Sequence, residues 1–206
     1  MIRETDRQFV LDASVIINLH ASGLGTGILS TLTNPAIITE EVLGELREGS
    51  DGEPKEREFA DRLIRDGVLN LNAISGRAQG LYFDLVSDPR SLDDGEASTL
   101  AVALANEYVP VIDERKARRE LVQYRSQPTP PNSLDLFCND GAVAEIGNEN
   151  IADAVYLALR EANMRIQPDQ CDFVVDLIGL RRAIECNSLP NFKSLKVELL
   201  RRIGSP

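Results

Sequence analysis

Four carboxylates occupy positions where chemistry is possible. Phe9-Val10-Leu11-Asp12 and Val109-Pro110-Val111-Ile112-Asp113 each close a short apolar run with an aspartate, the pattern of a buried parallel strand passing into a helix. In open α/β sheets, ligands bind in the crevice outside the carboxyl ends of the strands, and right-handed crossovers bring sequence-distant strand ends to that edge. Glu96 lies four residues before Leu100 and seven before Ala103, on the apolar stripe of its helix, so its carboxylate is expected to point inward. Glu45, three residues from Val42 at the edge of another apolar face, is the fourth candidate, with Glu40 and Glu41 competing for its role. Each group also has an ordinary explanation. Aspartate is a favoured helix N-cap, Glu96 could serve as a first-turn partner of the helix dipole, and Glu45 could be a solvated surface residue.

A hard divalent cation is what could hold such groups together. Mg2+ and Mn2+ prefer oxygen ligands and keep several waters, so a cleft of Asp and Glu suits them without histidine or cysteine. Such an ion lowers the pKa of a bound water and neutralises charge on a phosphate, which allows phosphodiester hydrolysis without a protein nucleophile. On this reading Asp12, Glu96 and Asp113 bind the metal and Glu45 helps to orient it or a water. Ser14, two residues past Asp12, would orient a metal-bound water through its hydroxyl, or would satisfy the first turn of its helix. Arg115, Lys116, Arg118, Arg119 and Arg125 follow directly behind Asp113, with Glu120 the only acidic interruption. They could contact substrate phosphate, or pair with the acidic surface. Tyr124 could stack a base or pack in the core. His20, the single histidine, is expected to be a dipole partner near the end of its helix and not a catalytic base.

The elements that would position these groups alternate between short apolar runs and longer amphipathic ones. After the first strand, Val15 to Leu19 begin a helix that Ser22-Gly23 end, and a second helical stretch runs from Ile28 to Leu32. Residues 35–39 read as a strand and 40–46 as a helix, while 51–67 carry Phe59, Leu63 and Ile64 at the spacing of an exposed helix with a narrow buried stripe. The Ser/Asp cluster at 91–94 starts the helix of Glu96, and a basic helix follows Asp113. Pro128, Pro130 and Pro131 mark residues 127–133 as a linker, because consecutive prolines cannot continue a helix. Beyond it, Ile151, Val155 and Leu159, then Phe173, Leu177 and Leu180, then Phe192, Leu195 and Leu199 fall at helical spacing. The expected architecture is therefore α/β: a three-layer parallel sheet flanked by helices in residues 1–126, the linker, and an all-helical extension over 134–206. The apolar stripes of that extension should pack on the first domain or on a second subunit, since leaving them in water forfeits roughly 25 cal/mol per Å².

Composition bounds the function. At 206 residues the chain can bury a full core, and 43% hydrophobic with 27% charged residues exclude a disordered or low-complexity protein. A net charge of −11 repels nucleic acid, so a phosphate-bearing substrate needs a local basic patch or bound cations. The 3 cysteines, Cys138, Cys171 and Cys186, are odd in number and lack C-x-x-C spacing, which argues against a disulfide framework or a thiolate zinc site. One histidine leaves little material for a Ser-His-Asp triad. The charged start of the chain and the lack of any apolar run near ~20 residues lead to the expectation of a soluble, cytoplasmic protein with no membrane partner.

Phe9-Val-Leu-Asp-Ala-Ser14, Ile38-Thr-Glu-Glu-Val-Leu-Gly-Glu45-Leu46, Leu92-Asp-Asp-Gly-Glu96-Ala97 and Val111-Ile-Asp113-Glu114, in that order, together resemble the PIN domain over roughly residues 8 to 124. The resemblance implies a metal-dependent ribonuclease fold, as in the toxin components of many bacterial toxin-antitoxin pairs. It assigns the family's four acidic positions to Asp12, Glu45, Glu96 and Asp113. The third is usually aspartate in the toxins and is glutamate here, one methylene longer, and residues beyond the linker exceed the usual compact domain. The expected activity is a Mg2+- or Mn2+-dependent endonuclease acting on single-stranded RNA, with an antitoxin-like protein or a second copy of the chain as further partners. The alternative is a non-catalytic PIN-like module that binds or regulates through its helical extension. A dehalogenase-like phosphatase or a receiver domain fits less well. The former wants a second aspartate where Ser14 stands, and the latter a lysine after a later strand.

Overall fold

In the computed structural model, which describes residues 8–49, 55–87, 92–124 and 126–204, side-chain alternation along the strands decides the layering. β1 (Phe9–Leu11), β2 (Ala36–Thr39), β3 (Leu69–Asn72) and β4 (Val109–Val111) form a parallel sheet in the order β3-β2-β1-β4. Phe9, Leu11, Ala36 and Ile38 belong to one buried cluster, whereas Val10 and Ile37 belong to another. Successive strand residues project to opposite faces, so each short apolar run feeds both layers. Burial on both faces is why these strands read as continuous hydrophobic stretches.

The first face is covered by α1 (Ala13–Ala21), α2 (Gly25–Ser30) and α4 (Glu56–Arg65), through Val15, Ile16, Leu19, Ile28, Phe59 and Leu63. The second is covered by α5 (Arg77–Ser87) and α6 (Asp94–Asn106), with Leu85, Ala97, Leu100 and Ala101 packed against Val10, Ile37 and Ile112. α3 (Glu40–Glu45) and the short α7 (Arg115–Arg119) leave the ends of β2 and β4. A five-residue π-helical turn, Glu120–Tyr124, continues α7. Arg125 and the Tyr124 side chain lie outside the described residues.

One strand differs from the expectation. β3 has no counterpart in it, because Leu69-Asn70-Leu71-Asn72 is half polar and Leu71 is exposed, a composition suited to an edge. Pro110 stands in the middle of β4 and is tolerated there because β4 is the other edge of the sheet.

The expected boundary between domain and extension is crossed by continuous packing. Ser133, the last residue of the proline-rich segment, opens α8 (Ser133–Phe137), and the Pro131 carbonyl accepts the Ile112 N–H at 3.0 Å. α9 (Asp140–Ile146), α10 (Asn148–Glu161), α11 (Cys171–Ile178), α12 (Leu180–Ala183) and α13 (Phe192–Gly204) follow. Phe137, Ile151, Val155, Val174 and Leu199 share one buried cluster with Leu11 and Ile16 of β1 and α1. α8, α9 and α10 pack on α1 and α2, and α11, α12 and α13 pack in turn on α10 and on one another, so the apolar stripes are covered within the chain except at Phe173, which is exposed. Among the described residues no helix is long and apolar enough to cross a membrane.

Candidate active site

Asp12 leaves β1 in an extended conformation and holds the N-cap position of α1, yet its carboxylate makes no capping hydrogen bond. Oδ2 instead accepts the Ser14 hydroxyl at 2.7 Å. Burial raises the Asp12 pKa to about 6, with Asp113 adding repulsion and the Ser14 bond opposing the rise. Capping therefore does not explain this aspartate.

Asp113 is not a cap either, because Glu114 holds the N-cap position of α7. Its carboxylate is buried and clamped by donors from two distant helices. Oδ1 accepts the Ser133 backbone N–H at 2.8 Å, and Oδ2 accepts the Ser133 hydroxyl at 2.7 Å and Asn18 Nδ2 at 2.8 Å. Asn18 Nδ2 also donates to Ser133 Oγ at 3.0 Å, so the hydroxyl relays one donor to another. Burial pushes the Asp113 pKa up and these donors pull it back.

Glu96 enters through the first turn of α6. Asp93 caps that helix, its Oδ1 accepting the Glu96 N–H at 2.8 Å, and the cap fixes the turn that aims Glu96 inward. Glu96 is only 6% exposed. Burial first, then the charges of Asp93 and Asp12, raise its pKa to about 7, and the Asp93 N–H and the Lys116 ammonium offset this in part. Glu45 ends α3 at the rim, where Oε1 accepts the Gly95 N–H at 2.7 Å. A Cβ at Gly95 would stand 2.5 Å from Glu45 Oε2, so glycine is what lets this carboxylate rest on the backbone of α6. A buried Thr39–Ser98 hydroxyl pair at 2.7 Å ties the start of α3 to the same helix. Partial desolvation raises the Glu45 pKa and the Gly95 N–H opposes it.

All four predicted carboxylates line one cleft of about 280 Å³ at the C-terminal edge of the sheet, together with Asp93 and Glu114. The predicted cations are placed differently. None of Arg115, Lys116, Arg118 or Arg119 lines this cleft. Arg118 is turned back onto the Ile112 carbonyl at 2.9 Å, where it braces the end of β4 and is half-buried, so it is not presented to a substrate. Lys116 and Arg119 are exposed on α7, and Arg115 lines an adjoining groove. His20 stands in the last turn of α1 with its ring centroid 5.4 Å from that of Phe59, outside the cleft.

The start signal read at residues 91–94 is met by the Asp93 cap, whereas sequence reasoning did not single out Asn18, Ser133, Glu114 or Arg165. A signal for Asn18 does exist: it is a buried amide in the apolar run Val15-Ile16-Ile17-Asn18-Leu19, and a buried amide needs a partner. Ser133 carries no such mark, because its role arises only when α8 docks beside β4.

The donor set suits a hard divalent ion. No histidine or cysteine lines the cleft, and four of its carboxylates are held above their ordinary pKa, by burial first and, at Asp12, Glu45 and Glu96, by neighbouring carboxylates as well, a local shortage of positive charge. Among the described residues, no three His, Cys, Asp or Glu side chains are grouped tightly enough to grip one ion by themselves. An ion here would take one or two carboxylates and keep water elsewhere, the usual manner of magnesium.

The fold is thus a parallel sheet between helical layers with an acidic cleft outside its strand ends. The family model for the PIN domain matches residues 8–125, and the chain belongs to that family. No curated protein and no solved structure matches it. Ser133 and the residues 162–165 that wall the cleft lie beyond the matched span.

Proposed function

We propose that the protein is a Mg2+- or Mn2+-dependent endonuclease that hydrolyses phosphodiester bonds of single-stranded RNA. The observation that carries this reading is the pair Asp12 and Glu96, two inward carboxylates facing one cleft with raised pKa values and too little positive charge beside them. A bound divalent ion would supply Lewis acidity, lowering the pKa of water and offsetting charge on the phosphate. Asp12 and Glu96 would hold it, and Asp113, expected from the sequence as a third ligand, would face it across the cleft with its carboxylate fixed by Asn18 and Ser133. The Ser14 hydroxyl donates to Asp12, so its main work is to orient that carboxylate, leaving a lone pair for a water. Glu45, resting on the Gly95 N–H at the rim, is positioned to orient the ion or a water.

A non-catalytic binding module is the second reading, favoured by the absence of a tight three-ligand group among the described residues. Incubation with labelled single-stranded RNA and manganese, beside an Asp12→Asn variant, separates the two. Cleavage by the parent and its loss in the variant support the nuclease. A parent that leaves RNA intact in manganese and in magnesium contradicts it.

A further inference from the structure

The wall of the cleft opposite the strand ends is built by the extension. After α10 the chain passes through Asn163, at φ 53°, into a segment in which Met164 and Ile166 are buried while Asn163 and Arg165 are exposed. That alternation marks an extended stretch pinned by two apolar side chains, with polar residues on its open face. Gln167 Nε2 reaches the Asp113 backbone carbonyl at 3.5 Å, linking the segment to the end of β4. Arg165 lines the acidic cleft and also an adjoining groove of about 280 Å³ that it shares with Asp113, Arg115, Gln167 and Ser188. It therefore stands where the two hollows meet.

Charge makes this arginine conspicuous. Among the described residues lining the acidic cleft, Arg165 is the only cation, facing Asp12, Glu45, Asp93, Glu96, Asp113 and Glu114. A polyanion approaching a chain of net charge −11 needs such a foothold. Arg165 is ion-paired with Glu114, but the arginine side chain is 60% exposed and the glutamate 33%. An ion pair in that setting contributes little stability and is readily exchanged. A phosphate diester offers the guanidinium two acceptor oxygens in the geometry its fork prefers.

We propose that the groove between α7 and residues 163–167 is the subsite for the RNA backbone, with Arg165 as its principal phosphate contact and Arg115 as the second. Glu114 holds Arg165 until a phosphate displaces it. The substrate class rests on the nuclease reading, whereas the position of the subsite and the contribution of the extension do not follow from it.

The test is fluorescence anisotropy of a labelled single-stranded RNA oligonucleotide on the full chain in EDTA, which reads binding apart from cleavage. Arg165→Ala should weaken binding about tenfold and reduce the slope of log affinity against log salt by about 0.7, the loss of one single-strand phosphate contact. Arg165→Lys, which keeps the charge, should fall between it and the parent. Glu114→Gln should bind more tightly, and the gain should vanish in the Arg165→Ala/Glu114→Gln double variant. Both single substitutions break the same ion pair, so a merely structural clasp would shift binding in the same direction in both and overturn the proposal. RNA binding with affinity and salt slope unchanged in Arg165→Ala and Arg165→Lys would also overturn it while leaving the nuclease reading intact. A parent that neither binds nor cleaves RNA would remove both. Should Arg165→Ala fail to fold, Arg165→Lys and Glu114→Gln carry the same decision.

Discussion

Adjacent strands of this sheet end in two aspartates with opposite environments. Asp113, after β4, accepts hydrogen bonds from the Ser133 N–H, the Ser133 hydroxyl and Asn18. Asp12, after β1, has only two local donors, the Ser14 hydroxyl and the Ala13 N–H, and faces Glu96, Asp93 and Asp113. Both are buried. A buried carboxylate needs donors, a cation or a proton. The fold supplies donors on the β4 side and leaves the β1 side short of positive charge, so one wall of the cleft is a fixed brace and the other is where a cation would be taken up.

The largest expected effect sharpens that contrast through metal. Manganese at a hundredfold excess over its dissociation constant should stabilise the parent by about 2.7 kcal/mol, raising the melting temperature by about 5–10 °C. Asp12→Asn should abolish the shift, while its metal-free form melts no lower than the parent because one repelling charge is gone. A metal-free variant that melts well below the parent would give Asp12 a structural role like that of Asp113.

On the braced side the change should be in stability itself. Ser133→Ala removes one donor and orphans part of Asn18, and should cost about 1–3 kcal/mol in a thermal or urea melt. Ser14→Ala, the matching deletion beside Asp12, should cost less than about 1 kcal/mol, since its carboxylate can take a proton or a cation instead. Equal losses would erase the distinction between the walls.

A third contrast lies in pH. The folded pKa values of Asp12 and Glu96, about 6 and about 7, stand above their ordinary 3.8 and 4.5. The native state therefore binds protons more tightly than the unfolded chain in that window, so stability from these groups is full below it and is lost as pH rises through it. Metal-free melting temperature should decline from about pH 4 to about pH 7 more steeply in the parent than in Glu96→Gln. A parallel decline would remove the raised Glu96 from the account. The smallest effect is expected from Gly95→Ala, whose Cβ would displace the Glu45 carboxylate. Folding should survive, because the neighbour is the end of a flexible side chain, and nuclease activity should fall by less than in Asp12→Asn.

The charge-deficient wall was legible in the sequence, whereas the brace was not. Asp12 is marked by a short apolar run, and Glu96 by a place on an apolar stripe, both local periodicities. Asp113 is marked in the same way, but its donors are 95 and 20 residues away, and no local pattern announces a hydroxyl that meets its partner only after α8 docks. The cations show the same limit. The run from Arg115 to Arg119 looks like one basic face, but α7 is a single short turn that sends Arg118 back to the Ile112 carbonyl and leaves Lys116 and Arg119 outside the cleft. Arg165, the cation that does line the cleft, lies in a segment that helical periodicity passes over because it is extended.

Titration calorimetry of manganese into the metal-free protein near about pH 6.5, repeated in buffers of different ionisation enthalpy, tests the central claim most directly. If Asp12 and Glu96 form a wall that lacks a cation, the ion binds and releases on the order of one proton, because these carboxylates must ionise to receive it. Both the binding and the proton release should disappear in Asp12→Asn. A parent that shows no manganese binding, or one whose binding releases no proton and survives Asp12→Asn unchanged, would contradict the account.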